Sequence, residues 1–110
     1  MGSITRNLKE VITHWSATPD GFGGYVFGPP DNEMLARWEE RAEVFLDVRG
    51  NEQVSNAVVF LSKDVEVEDF LYRGETTEVD PTTLMHTFPV RRFTKMPDLR
   101  YNSYERVAYL

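Results

Sequence analysis

The sequence predicts a mainly β fold, and two observations carry that prediction. Hydrophobic and aromatic residues make up 41% and 13% of the 110 residues, well above the range of disordered chains. Short runs rich in β-branched and aromatic residues alternate with Gly and Pro at fairly even spacing, as they do in β-barrels and sandwiches. A chain of this length has apolar material for one core, so we expect residues 1–110 to form a single domain.

The first thirty residues predict two strands separated by a turn. Residues 9–16 alternate in a way that indicates a first strand with one mixed face. Residues 18–24 are rich in turn formers, because glycine adopts positive φ without steric cost. Tyr25–Phe27 is a short β-prone run closed by the sequence Gly-Pro-Pro-Asp at 28–31.

Residues 34–48 fit two interpretations. Their apolar side chains recur at helical spacing, with Asp31 or Asn32 available as a cap, and this slightly favours a helix. The same stretch also alternates as two strand faces, so periodicity leaves both structures open. The residues at helical spacing are Leu35, Trp38, Ala42, Phe45 and Leu46.

The second half predicts more strands. Residues 47–51 predict a turn, since Gly50 and Asn51 both tolerate the left-handed conformation. The clearest strand is expected at 53–62, which is rich in β-branched residues. Further strands are expected at 64–72, 87–95 and 104–110, with a polar loop at 74–83 and a connection at 96–100.

Charge and composition exclude several classes of protein. The net charge of -6 opposes a protein whose main task is to grip DNA, because such affinity comes mostly from neutralised phosphates. The chain has no cysteine, so it offers neither a disulfide framework nor a thiolate metal site. The longest apolar run, residues 57–61, is far too short to cross a membrane, and we predict no secretory signal and no membrane partner.

No combination of residues predicts catalysis. His14 and His86 lie in different elements without ligand-like spacing, so a metal or general-base role is improbable for either. The glycines of residues 21–24 lack the Gly-Lys-Ser/Thr ending of a phosphate loop. We therefore expect a protein that is not an enzyme and has neither metal nor cofactor. Asp64, Glu66 and Glu68 would share one strand face, either as a solvated surface or as an acidic stripe lining a channel.

An ordered set of stretches carries a family resemblance over nearly the whole chain. It includes Phe45-Leu46-Asp47-Val48-Arg49-Gly50-Asn51-Glu52 and Ser55-Asn56-Ala57-Val58-Val59-Phe60. The remaining stretches are residues 13–15, 38–40, 64–71, 95–100 and 106–110. In this order they resemble the head-closure (stopper) proteins of tailed bacteriophages.

The resemblance implies a small β-barrel with long loops and a role as a structural subunit of the virion neck. Such subunits form head–tail connector rings, often of twelve copies, made in the host cytoplasm. The ring joins the portal or adaptor on one side to tail-terminator or other tail proteins on the other, and it gates the channel through which double-stranded DNA passes. Twelve copies would carry a charge of about -70, which favours DNA passing without specific binding.

The resemblance also implies that a long hairpin loop between two middle strands, about residues 41–53, projects into the channel. The resemblance therefore favours two strands over a helix for residues 34–48. The channel-loop candidates are Arg41, Glu43, Phe45, Asp47, Arg49, Gly50 and Asn51.

A ring subunit also needs exposed anchors for its neighbours, and aromatic and basic side chains are candidates, although core packing is as good an interpretation for any one aromatic residue. Another phage neck or tail-completion protein and a small OB-like binding module are the competing functions. The subunit-interface candidates are Trp15, Tyr25, Phe27, Arg91, Arg92, Tyr101 and Tyr109.

Overall fold

A computed structural model describes residues 8–98 and 103–110, and its mainly β architecture confirms the predicted fold class. A short 3-10 helix, Pro81–Thr83, accompanies the strands. The described strands are β1 (Glu10–Trp15), β2 (Ala17–Pro19), β3 (Tyr25–Phe27), β4 (Asp31–Glu39), β5 (Val44–Leu46), β6 (Glu52–Val54), β7 (Val58–Leu61), β8 (Phe70–Arg73), β9 (Thr87–Pro89), β10 (Arg92–Asp98) and β11 (Ser103–Tyr109).

Seven strands form one antiparallel sheet that curls into a half-barrel. Their order is β10-β11-β7-β4-β1-β8-β9, and two hairpins, β2–β3 and β5–β6, form separate two-stranded sheets. The two edge strands of the large sheet, β9 and β10, are separated along the chain only by Val90 and Arg91. A link of this length spans about 10 Å at most, so the sheet must curl to bring its opposite edges together there.

The core lies against both faces of the central strands. On β7, Val59 and Leu61 belong to the main cluster, whereas Val58 and Phe60 pack on the opposite face with Leu8. This double coverage explains the unbroken apolar run at 57–61, which is typical of strands buried on both faces. The main cluster comprises Ile12, Met34, Ala36, Trp38, Ala57, Val59, Leu61, Val65, Leu71, Val90, Ala108 and Leu110.

The slight preference for a helix at residues 34–48 was wrong. Met34, Ala36 and Trp38 are buried while Leu35 between them is exposed, which is the period of a strand. Strand β4 pairs with β1 on one side and β7 on the other, so its backbone hydrogen bonds are made within the sheet. The two-strand interpretation taken from the resemblance agrees with the structure at this point.

Three predicted strands are interrupted. The strand expected at 53–62 divides into β6 and β7, and that at 87–95 divides into β9 and β10 at the sheet's corner. Most of the strand expected at 64–72 is instead a loop. Strand β8 begins only at Phe70, and Glu68 has a φ of 86°, which is outside the range of a strand.

Within the described residues, no helix has the length and apolar character needed to cross a membrane.

Candidate interaction surface

The connection between β4 and β7 contains the β5–β6 hairpin (residues 44–54), whose turn is organised by Asp47. The backbone N–H of Asp47 donates to the carbonyl of Asn51 at 2.9 Å, and that of Gly50 donates to the carbonyl of Asp47 at 3.0 Å. The Asp47 side chain accepts from the N–H groups of Arg49 and Asn51, both at 2.9 Å. Gly50 has a φ of +85°, which suits glycine. The predicted turn at 47–51 is therefore confirmed.

These bonds also set the charge state of Asp47. The hydrogen bond from the Asn51 N–H lowers the pKa of Asp47 most, with a further contribution from the Arg49 N–H, and together they outweigh the effect of desolvation. The carboxylate therefore stays ionised at neutral pH and keeps the turn closed.

Two arginines attach the hairpin to the body of the protein. Arg91 donates through Nη2 to the carbonyls of Val54 at 2.6 Å and Leu110 at 2.8 Å. Arg92 donates through Nη1 to the carbonyl of Leu46 at 2.8 Å. These are charge-assisted bonds, which are stronger than bonds between neutral groups.

An aromatic contact completes the attachment. The ring of Phe45 stacks on that of Tyr109 at 5.1 Å with an angle of 22° between the planes. The Arg91 guanidinium carbon lies 5.1 Å from the centre of the Phe45 ring, within reach of a cation–π interaction. Phe45 is consequently buried, and one face of the hairpin is fixed against the body.

The opposite face of the hairpin is open to solvent and carries several apolar side chains, with the exposed Glu52 opposite Leu46. Val44 and Val54 are cross-strand partners, 63% and 56% exposed, and Leu46 is 51% exposed. Val48 in the turn is 72% exposed. Contiguous exposed apolar side chains of this kind mark interaction sites on soluble proteins. We call these four residues the outer face of the β5–β6 hairpin.

The channel-loop candidates all lie in or beside this hairpin, but they have different environments. Arg41 forms ion pairs with Glu39 at 3.0 Å and with Glu43 at 3.1 Å, so these charges stabilise the entry to the hairpin. Phe45 faces the body, whereas Arg49 is exposed at the turn. Sequence reasoning missed the outer-face valines and Leu46, although alternation about the buried Phe45 would have indicated Val44 and Leu46.

The subunit-interface candidates separate into three groups. Arg91, Arg92 and Tyr109 attach the β5–β6 hairpin of their own chain, as described above. Trp15 is fully buried and its Nε1 donates to the carbonyl of Glu78 at 2.9 Å, so the prediction of Trp15 as a surface anchor is corrected: it belongs to the core. Tyr25 and Phe27 lie on β3, where they retain exposed surface, and Tyr101 lies outside the described residues.

The β2–β3 hairpin (residues 17–27) has a turn with similar hydrogen bonds. The N–H of Asp20 donates to the carbonyl of Gly24 at 3.0 Å, and Asp20 Oδ1 accepts from the N–H groups of Phe22 and Gly24. Gly23 has a φ of +88°. The turn presents Phe22, 94% exposed, at its tip.

A buried carboxylate, Asp69, holds the base of this second hairpin. Its Oδ2 lies 2.7 Å from His14 Nε2 and accepts from the Glu66 N–H, while its Oδ1 accepts from the Ala17 N–H at the start of β2. Burial raises the pKa of Asp69, but the bonds from His14, Glu66 and Ala17 together lower it below its usual value. No spacing in the sequence indicates this pairing, because His14 and Asp69 are 55 residues apart.

The predicted acidic stripe of Asp64, Glu66 and Glu68 does not form, because these residues lie in a loop rather than on one strand face. Asp64 instead makes ion pairs with Arg106 and Lys95. Hydrogen bonding first from Arg106 and then from Lys95 lowers the pKa of Asp64.

The described parts of the chain, residues 8–98 and 103–110, contain no cluster of three His, Cys, Asp or Glu side chains suited to a metal ion. Comparisons with protein-family models, curated proteins and solved structures found no match for this chain. The arrangement that these residues support best is a docking surface for another macromolecule.

Proposed function

We propose that this chain is a non-enzymatic structural subunit of a head–tail connector ring, the role that its resemblance to phage head-closure proteins implies. In this role copies of the chain assemble between the portal or adaptor and the tail, and the β5–β6 hairpin takes part in the contacts that close or open the DNA channel. The observation that carries the proposal is the outer face of that hairpin.

The manner in which the hairpin is held supports an assembly role. Arg91, Arg92 and the Phe45–Tyr109 stack fix its inner face, so its outer face cannot turn inward and join the chain's own core. A surface that is rigid before binding loses little conformational entropy on association. Apolar side chains held outward in this way suit a permanent contact between subunits.

The charge of the chain supports a channel role. At -6 per copy, a ring would surround DNA with a wall of like charge, which attracts phosphates poorly and lets the duplex slide. Closure would then depend on side chains that block the channel sterically, and a projecting hairpin with the exposed Val48 and Arg49 at its turn suits that purpose.

Assembly can be tested with the purified chain. We expect mass photometry and negative-stain electron microscopy to show rings at high protein concentration, and the double variant Val44→Lys, Leu46→Lys to remain monomeric because it places charge on the outer face. The variant Val79→Lys, which adds a charge at another exposed valine, is the matched control and should assemble normally. A wild-type chain that stays monomeric at every concentration, or a double variant that assembles normally, would overturn the proposal.

A further inference from the structure

A cleft with a volume of about 500 Å³ lies beside the β2–β3 hairpin. Tyr25 and Phe27 from β3 and Phe70 from β8 form its aromatic wall, and the acidic residues Glu68 and Asp80 also line it. It shares no residue with the outer face of the β5–β6 hairpin. Its size falls within the range of protein sites for small ligands or single side chains.

Two rings of the aromatic wall stand nearly perpendicular to each other. The rings of Phe27 and Phe70 are 5.2 Å apart and stand at 82° to each other, so their planes meet nearly at a right angle. Tyr25 adds a third ring that is 39% exposed. Ring faces carry partial negative charge, and several of them around one space attract cations.

Both carboxylates are held in place by neighbouring groups. The Glu68 carboxylate acts on the Tyr25 hydroxyl and is the main reason that the pKa of Tyr25 is raised. The backbone of Glu68 is fixed by its N–H, which donates to the carbonyl of Val90 at 2.8 Å. Asp80 accepts from the Thr82 N–H and hydroxyl through Oδ1, so these bonds leave Oδ2 for another donor.

The cleft lacks a cation of its own. The described residues that line it include no Lys, Arg or His, and neither Glu68 nor Asp80 forms an ion pair within the described chain. Two basic side chains, Arg49 and Arg91, line a separate cavity on which Glu68 also borders. The cleft therefore combines two negative charges with an aromatic wall and no internal counter-charge.

We propose that this cleft binds the side chain of an arginine presented by a partner protein. A planar guanidinium can stack on an aromatic ring while its edge donates to carboxylates, whereas the compact ammonium of lysine has no planar face to stack. Buried arginine anchors in partner pockets are common centres of protein–protein recognition. The inference depends on the cleft alone and stands whether or not the chain forms rings.

Saturation-transfer NMR with small probes tests the proposal, and it works for a monomer or a large assembly. The probe is acetyl-arginine methylamide, and its control is the citrulline analogue, which has nearly the same shape without the charge. We expect saturation to reach the side-chain methylenes of the arginine probe. The citrulline probe should bind roughly five- to tenfold more weakly, because it makes no ionic contact with the two carboxylates. Equal binding of the two probes, or binding of neither, would overturn the proposal.

Variants then locate the site. Glu68→Gln with Asp80→Asn should abolish the preference for arginine over citrulline, since both changes remove charge while keeping hydrogen-bonding oxygens. Glu75→Gln is the matched control, because its carboxylate is exposed and makes no bond among the described residues. A preference that survives the double change, or disappears in the control, would place the cation elsewhere and overturn the assignment. The comparison of the two probes on unaltered protein needs no variant, so it remains decisive if a variant folds poorly.

Discussion

The two hairpins have turns with similar hydrogen bonds but are attached to the body in different ways. In each, an aspartate N–H donates to the carbonyl four residues later, and the aspartate side chain accepts from the backbone N–H groups two and four residues later. In each, a glycine at the fourth position has a φ near +85°. The sequences Asp20-Gly-Phe-Gly-Gly and Asp47-Val-Arg-Gly-Asn therefore share a hydrogen-bond pattern, but they differ at the second position, where Gly21 has a φ of +85° and Val48 does not have a positive φ.

The attachments differ in chemistry. The β5–β6 hairpin is held by Arg91, Arg92 and an aromatic stack. The β2–β3 hairpin is held by Asp69, a carboxylate that accepts from His14, Glu66 and Ala17. Local sequence thus decides the turn, whereas the tertiary attachment decides how each hairpin responds to pH and which of its faces is exposed.

The largest effect is expected from Asp69→Asn. This change removes the charged acceptor at the base of the β2–β3 hairpin and should lower the free energy of unfolding by about 2–3 kcal/mol at pH 7. The pKa of Asp69 is lower in the folded protein than its value of about 3.9 in the unfolded chain. The stabilisation that the carboxylate provides is therefore complete above this unfolded pKa and is lost as the pH falls through the folded pKa. Urea unfolding at pH 7 and pH 3 should therefore show a difference between variant and wild type that shrinks in acid.

Glu66→Gln is the matched control for that measurement. Its side chain is exposed and only its backbone N–H bonds Asp69, so both stability and its pH dependence should stay close to wild type. If Asp69→Asn were as stable as wild type at pH 7, the proposed difference between the two hairpin attachments would be wrong.

A smaller effect is expected from Arg91→Ala. The change removes two charge-assisted bonds and the contact with Phe45, so it should cost about 2 kcal/mol and expose the β5–β6 hairpin to hydrogen exchange. Mass-spectrometric exchange should rise at residues 44–54 and remain unchanged at 17–27. Arg49→Ala, in the same hairpin but exposed, should leave exchange unaltered. Faster exchange in both hairpins would show that they are not attached independently.

The smallest effect is expected from alanine at the two turn glycines. Gly23→Ala and Gly50→Ala should each cost about 1 kcal/mol, because both positions have positive φ. A new Cβ would meet no atom within 4 Å at either site, so the backbone conformation alone sets the cost. Thermal or urea unfolding should give equal losses. A clearly greater loss at Gly50 would mean that its turn is constrained by more than local geometry.

Sequence patterns predicted the elements whose hydrogen bonds are local. Tyr25–Phe27 has the bounds expected from its flanking turn formers, and the turn at 47–51 was expected from Gly50 and Asn51, of which Gly50 has the positive φ. Part of the outer face of the β5–β6 hairpin was within reach of the same reasoning, since Val44 and Leu46 flank Phe45 on β5, whereas Val54 joins them only through cross-strand pairing. The aromatic–carboxylate cleft was not, because its members come from β3, the 62–69 loop, β8 and the loop before the 3-10 helix.

The sequence by itself determined the β class, the two turns and the acidic charge, because these depend on composition and on groups within a few residues of each other. Only the tertiary structure decided that Trp15 is core, that residues 64–69 are loop, and that Asp69 and Arg91 each hold a hairpin. Those outcomes depend on contacts between residues such as His14 and Asp69, 55 positions apart, whose proximity no local pattern records. The antiparallel pairing of β1 with β8, in which Trp15 lies opposite Phe70, creates that proximity, and this pairing is a property of the whole strand order.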